Sequence, residues 1–68
     1  MDSVYKVIEV IGSSPTSWED AAKSAIEAAA KSLQDLRVAE VKELDLRVED
    51  GKVVGYRTKL RLSFKYNT

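Results

Sequence analysis

The chain has 68 residues, of which eleven are basic and eleven acidic, so its formal net charge is zero. It contains neither cysteine nor histidine, which excludes disulfides, thiolate nucleophiles, zinc-finger sites and the commonest general base. A neutral chain also lacks the long-range field that attracts proteins to nucleic acid, and no apolar run reaches the length of a membrane span.

The length fits one small domain over residues 1–68. An isolated domain of this size buries only about 60% of the surface that its unfolded chain exposes. Without disulfides, association is the main remaining source of stability, so we expect a homo-oligomer. The first residues do not form a signal-peptide pattern, which predicts a cytoplasmic protein. No side chain has an ordinary pKa near neutrality, so we do not expect an enzyme.

The first element is predicted to be a strand over Ser3–Gly12, because this stretch is β-branched and aromatic and ends at a glycine. Both of its faces are rich in apolar residues, whereas a strand with one solvated face alternates cleanly. We therefore expect both faces to be at least partly covered, with another subunit as a candidate cover for one of them.

A helix is predicted over residues 17–36, after the break formed by Ser-Ser-Pro-Thr. Thr16 or Ser17 can cap it, and Glu19 or Asp20 stands where a capping box needs an acid. Apolar residues recur along this stretch at spacings of three and four.

Alanine is the commonest residue of that apolar stripe, which lets a sheet curl closely around the helix. Trp18, the only tryptophan, lies at the start of the stripe. We interpret its ring as an apolar anchor of the helix start. The alternative is a role at the surface or in an interface.

The rest of the chain predicts a long hairpin that turns at Asp50-Gly51. Matching the apolar faces of its two strands favours a three-residue loop from Asp50 to Lys52. We expect Gly51 or Lys52 to adopt the left-handed conformation.

This register places Asp45 opposite Arg57 and Glu43 opposite Lys59. Before Leu44 the alternation slips, which indicates a bend, a bulge or a subunit contact in the second strand. The fold class is therefore α+β, β-α-β-β: a three-stranded antiparallel sheet with the helix on one face.

Candidate sites from the residues alone are few. Glu40, Glu43 and Asp45 offer the oxygen ligands that a hard cation such as calcium prefers. The alternative is that they are ordinary surface charges. The basic residues of the last strand could hold an anion, or could instead pair with these acids.

From residue 3 to 66 the chain resembles the dodecins, which are short β-α-β-β proteins. Three stretches carry the resemblance: VYKVIEVIGSSPTSWEDAAKSAIEAA, LQDLRVAEVKEL and YRTKLRLSFKY. The resemblance implies a sheet curled around one helix and assembly into a hollow homo-dodecamer.

The resemblance also implies a flavin site at two positions, where typical members stack the flavin on a tryptophan and bond its edge with a glutamine. Here the stretch LRVAEV places Val38 at the first position, and YR places Arg57 at the second. Both positions differ from the family pattern, so flavin binding is predicted to be weak or lost.

The stretch PTSWE, without a tryptophan at residue 38, is similar to the branch called calcium dodecins. The resemblance then implies a shell that binds or stores an ion or a small ligand, with calcium or another divalent cation as the ligand. Glu40, Glu43 and Asp45 are the candidate metal ligands. The alternative is a functional dodecin that stores and sequesters riboflavin or FMN.

Overall fold

A computed structural model of the chain describes residues 4–66 and contains one helix and three strands. The bounds of these elements are as follows: β1 Tyr5–Ser14, α1 Trp18–Ala30, β2 Leu36–Glu49 and β3 Lys52–Lys65. The strands form one antiparallel sheet in the order β1-β3-β2, so the last strand is central. The predicted α+β fold is confirmed, although Ser3 lies outside the described residues.

Helix α1 is shorter than predicted, because it ends at Ala30 instead of continuing to residue 36. The apolar spacing continues through Leu33 and Leu36, yet Leu36 is already the first residue of β2. The chain reverses at Asp35, whose φ of 56° lies in the left-handed region that aspartate tolerates better than most residues. Sequence spacing alone does not show whether such an apolar residue lies on the helix or packs on the sheet after the reversal.

The start of α1 follows the predicted capping. The Ser17 side chain accepts a hydrogen bond from the backbone N–H of Asp20 at 3.0 Å. The Asp20 carboxylate does not complete the box, because its Oδ2 accepts a 2.6 Å hydrogen bond from the Ser14 hydroxyl. The helix start is therefore joined to the end of β1.

Gly12 lies inside β1 and does not end it, contrary to the prediction. A Cβ built at this position would overlap the backbone carbonyl of Ala21 and lie 2.9 Å from the Ala25 Cβ. The helix thus passes so close to the strand that only glycine fits. Ala21 is fully buried at this contact.

The β2–β3 hairpin turns through two residues, Asp50 and Gly51, with φ values of 51° and 74°. The predicted three-residue loop is therefore wrong, while the left-handed Gly51 is confirmed. The predicted register is nevertheless present, because Val54 bulges out of the ladder. This one-residue bulge offsets the pairing by the same amount as the longer loop would.

Strand β2 contains two further bulges, at Arg37 and Lys42. The second explains the slip in alternation before Leu44, because it transfers Val41 to the face that carries Leu44. It also leaves Glu40 and Glu43 on the opposite face, across from basic residues of β3. The predicted irregularity in this strand is confirmed as a pair of bulges.

The core of one chain is small, and its fully buried apolar side chains are Ala21, Leu60 and Leu62. Helix α1 packs mainly on β1 and β3 and barely touches β2. The apolar residues on the helix-side face of β2 and the hairpin tip are consequently 42–59% exposed; they are Val41, Leu44, Leu46, Val48 and Val53. We call this set the β2 stripe. Within residues 4–66, no helix combines the length and the apolar character that crossing a membrane requires.

Trp18 is half-buried at the start of α1 and contacts both strands of the hairpin. Its ring meets the Tyr56 ring edge to face, with the centroids 5.3 Å apart. Its indole Nε1 donates a 3.1 Å hydrogen bond to the backbone carbonyl of Asp45, and its own carbonyl accepts one from the Thr58 hydroxyl. These contacts support the interpretation of Trp18 as the anchor of the helix start.

Replacement of Trp18 separates its two kinds of contact. Trp18→Phe keeps an aromatic ring but removes the indole donor, and we expect it to lower the free energy of unfolding by about 1 kcal/mol. Trp18→Ala removes the ring as well and should cost more, roughly 2–4 kcal/mol for a large side chain that is only half-buried. Urea unfolding at one fixed protein concentration measures both. Equal costs for the two variants would contradict an anchoring role for the ring.

Candidate functional site

The sheet face opposite α1 carries a row of charged side chains that pair across the strands. The strongest pair joins Arg57 of β3 to Asp45 of β2. The Arg57 Nε donates to Asp45 Oδ1 at 2.7 Å, and Arg57 Nη2 donates to Oδ2 at 2.8 Å. This is the planar, two-point geometry in which arginine binds a carboxylate most strongly. It confirms the predicted register of these two residues.

Two more cations of β3 continue the row toward the other end of the sheet. Lys59 Nζ lies 3.5 Å from a carboxylate oxygen of Glu43 and 3.9 Å from one of Glu9. Arg61 Nη2 lies 3.3 Å from the second Glu9 oxygen. The basic strand is thus balanced by acids of both neighbouring strands, so the face has little net charge of its own.

Pairing changes the titration of Asp45 and Arg57. Hydrogen bonds from Arg57 above all hold the pKa of the Asp45 carboxyl below its usual range, and the same bonds raise the pKa of Arg57. The contribution of Asp45 to stability is complete above its unfolded pKa of about 4 and is lost as the pH falls through its lower folded pKa. That of Arg57 is complete below its unfolded pKa and is lost as the pH rises through its higher folded pKa. Both groups are therefore charged throughout the neutral range.

A shallow cavity of ≈190 Å³ lies beside this ion pair. Its lining residues are Ile11, Glu43, Asp45, Arg57 and Lys59. The two basic and two acidic side chains cancel in formal charge. A cavity of this composition has the donors for an anionic ligand, but its own carboxylates already engage Nε and Nη2 of Arg57 and lie 3.5 Å from Lys59 Nζ.

The three candidate metal ligands lie along β2 on this same face, but one chain does not bring them together. Asp45 has both carboxylate oxygens on Arg57, and Glu43 faces Lys59. Glu40 lies 3.9 Å from Lys42. Among residues 4–66 of a single chain, no three acidic side chains are close enough to hold one metal ion. Since calcium takes six to eight oxygens, one chain alone does not fit a calcium site.

The two candidate flavin positions also lie apart. Val38 is 60% exposed and pairs in register with Ser63, whereas Arg57 stands six residues earlier on β3. At the rise of an antiparallel strand, this separation is roughly 20 Å. Val38 and Arg57 of one chain therefore cannot contact the same flavin ring. A ligand that touches both positions must lie between subunits.

Comparison with known proteins assigns the chain to a family. The family model described as Dodecin matches residues 4–67. The chain belongs to the dodecin family. The resemblance seen in the sequence is thereby confirmed.

Among individual dodecins, the chain is 54% identical over 63 residues to the calcium dodecin of Mycobacterium tuberculosis, covering 93% of this chain and 89% of that protein. The crystal structure of the calcium dodecin from the same organism, described as calcium chelating with a novel calcium-binding site, has a TM-score of 0.86 and 55% identity. That match covers 96% of this chain and 93% of the other. The dodecin of Streptomyces coelicolor has a TM-score of 0.94 at 31% identity, with coverages of 98% and 96%.

The link between Trp18 and Asp45 is the contact of this site that sequence reasoning missed. The acceptor is a backbone carbonyl, which leaves no signal in the sequence. Through it, this dodecin ties the start of its helix to the residue that holds Arg57.

The Asp45–Arg57 pair can be tested by titration. We expect the ¹³C signal of the Asp45 carboxyl to titrate at lower pH in the wild type than in Arg57→Gln, since glutamine is polar but removes the charge. Arg57→Lys should lie between them, because it keeps the charge and loses the two-point geometry. The measurement is an NMR titration from neutral pH into acid. One midpoint shared by all three proteins would show that the pair is not formed in solution.

Proposed function

We propose that this dodecin assembles with eleven copies of itself into a hollow shell that binds or stores a small ion or ligand and does not catalyse a reaction. The observation that carries the proposal is the exposed β2 stripe. An apolar stripe at this exposure cannot remain in water when the core beneath it consists of three residues. Burial against other copies supplies the stability that one chain lacks.

The exposed apolar residues are not confined to one face. On the face that bears the ion pairs, Tyr5, Val7 and Ile11 of β1 are 50–56% exposed. Apolar residues on both faces of an open sheet support contacts with more than one neighbour, as a closed shell requires. The shape of the chain, 54 × 20 × 14 Å, also fits a wall element better than an independent globule.

Calcium is the ion that we propose for the shell. The support is the 54% identity to a protein named calcium dodecin, together with the row of carboxylates on β2. Since one chain does not gather enough of them, we propose that Glu40, Glu43 and Asp45 contribute oxygens where subunits meet. Glu40 and Glu43 are the more available of the three, with side chains 57% and 68% exposed, because Asp45 is held at both oxygens by Arg57.

We propose further that flavin is not the stored ligand. Val38 offers no ring for stacking, and two of the five Arg57 N–H donors are occupied by Asp45. A stacked aromatic pair contributes about 0.5–1.5 kcal/mol beyond its buried area, and the symmetry of a shared site would repeat the loss. The alternative, riboflavin or FMN storage, therefore requires contacts that this chain does not supply at the family positions.

The assembly has a direct test. We expect light scattering of the wild type at micromolar concentration to give the mass of twelve chains. Leu44→Lys places a charge in the middle of the β2 stripe, and it should yield smaller species that also lose secondary structure by circular dichroism. Gln34→Lys adds the same charge at an exposed polar position and should assemble normally. A wild type that stays monomeric and folded would refute the shell.

The calcium proposal is tested by melting. We expect calcium to raise the melting temperature of the assembled protein and excess chelator to reverse the rise, since a ligand at 100 times its Kd stabilises by about 2.7 kcal/mol. Glu40→Gln with Glu43→Gln should remove most of the effect, whereas Glu27→Gln on the helix should leave it unchanged. If chelator changes neither melting nor assembly of the purified protein, calcium has no such role.

A further inference from the structure

Of the two positions at which the resemblance implies a flavin site, Val38 and Arg57, only Arg57 carries a charge. An arginine here would be expected to attract an anion, because its fork of donors matches phosphate and carboxylate groups. In this chain one edge of that fork is already filled. Nε and Nη2 both donate to Asp45, and the two distances of 2.7 and 2.8 Å leave this edge of the guanidinium without a free donor pair.

From this geometry we propose that Asp45 is the residue that determines ligand specificity at this position: it acts as a built-in counter-ion that closes a phosphate-binding cavity. The cavity is the ≈190 Å³ space beside the pair. Arg57 and Lys59 are its donors, and Ile11 is its apolar wall. Asp45 stands where the phosphate of a ligand would stand, so the cavity excludes anions while Asp45 is charged.

The strand register holds Asp45 and Arg57 next to each other. Asp45 and Arg57 are direct partners in the β2–β3 ladder, so their side chains emerge side by side on one face. The bulge at Val54 sets that alignment, and the indole of Trp18 holds the Asp45 carbonyl from the other side of the strand. The backbone of Asp45 is therefore held so that its carboxylate lies within reach of Arg57.

Lys59 is the second donor and is held less firmly. Its Nζ lies 3.5 Å from Glu43 and 3.9 Å from Glu9, both at single points. Removing the Asp45 charge would leave the cavity with two cations against one carboxylate. The formal charge of the lining would then change from zero to +1, with a free arginine fork beside it.

The inference rests on the proposed function, because it treats the cavity as a ligand site of the assembled shell. Its test uses FMN and riboflavin as probes, because they share one ring system and differ in the phosphate. In the assembled wild type we expect neither to be quenched appreciably at tens of micromolar protein. Asp45→Asn keeps the size of the side chain and should bind FMN about tenfold more tightly than the wild type at low salt, and less so as salt is added.

Three comparisons make the result specific. Riboflavin should gain nothing in Asp45→Asn, because it lacks the anionic group. Asp45→Asn combined with Arg57→Gln should return FMN binding to the wild-type level. Glu49→Gln also frees an arginine, Arg47, from a carboxylate at 3.2 Å, but it lies outside the cavity and should change nothing.

Each other outcome overturns the inference or the proposal beneath it. Equal FMN affinity in the wild type and Asp45→Asn means that Asp45 does not close the cavity. An equal gain for riboflavin means that the ring, and not the phosphate, is recognised. If Asp45→Asn fails to assemble, Asp45→Ser repeats the test, and failure of both shows that the pair serves assembly instead. A monomeric wild type refutes the shell itself, whatever the FMN result.

Discussion

The whole architecture depends on where the apolar face of β2 is buried. Helix α1 covers β1 and β3, and the close passage at Gly12 leaves it no freedom to shift toward β2. Strand β2 therefore presents a row of valine and leucine side chains that the helix barely covers. In the proposed assembly this row is buried against other copies, and the stability that it adds then depends on protein concentration.

The two faces of the sheet carry different groups of residues. The helix side holds the small core and the β2 stripe, and the opposite side holds the ion pairs and the candidate ligand positions. The bulges at Arg37 and Lys42 keep this division intact along β2, because each restores the alternation that the sequence interrupts. A change in the number of residues at these points would move the carboxylates to the apolar side.

Much of this arrangement is predictable from the sequence, since it follows from local patterns. The order of elements, the cap at Ser17 and the pairing of Asp45 with Arg57 all follow from residue type and alternation. The end of the helix does not follow from the sequence, because the spacing of Leu33 and Leu36 fits a helical stripe although Leu36 begins β2. The length of the hairpin loop does not follow either, because a bulge and a longer loop produce the same register and only the backbone distinguishes them. The metal ligands resist prediction for another reason: carboxylates separated in one chain can meet only through symmetry, which one sequence does not display.

Trp18 is the sole tryptophan, and its indole is hydrogen-bonded to the strand segment that carries Asp45. Its fluorescence therefore comes from one place in each subunit. That place lies next to the β2 stripe and beside the backbone of Asp45, whose side chain pairs with Arg57. We expect a change of subunit contact at the β2 stripe to change the polarity around that ring. The protein thus contains its own optical reporter, which needs neither a label nor a further substitution.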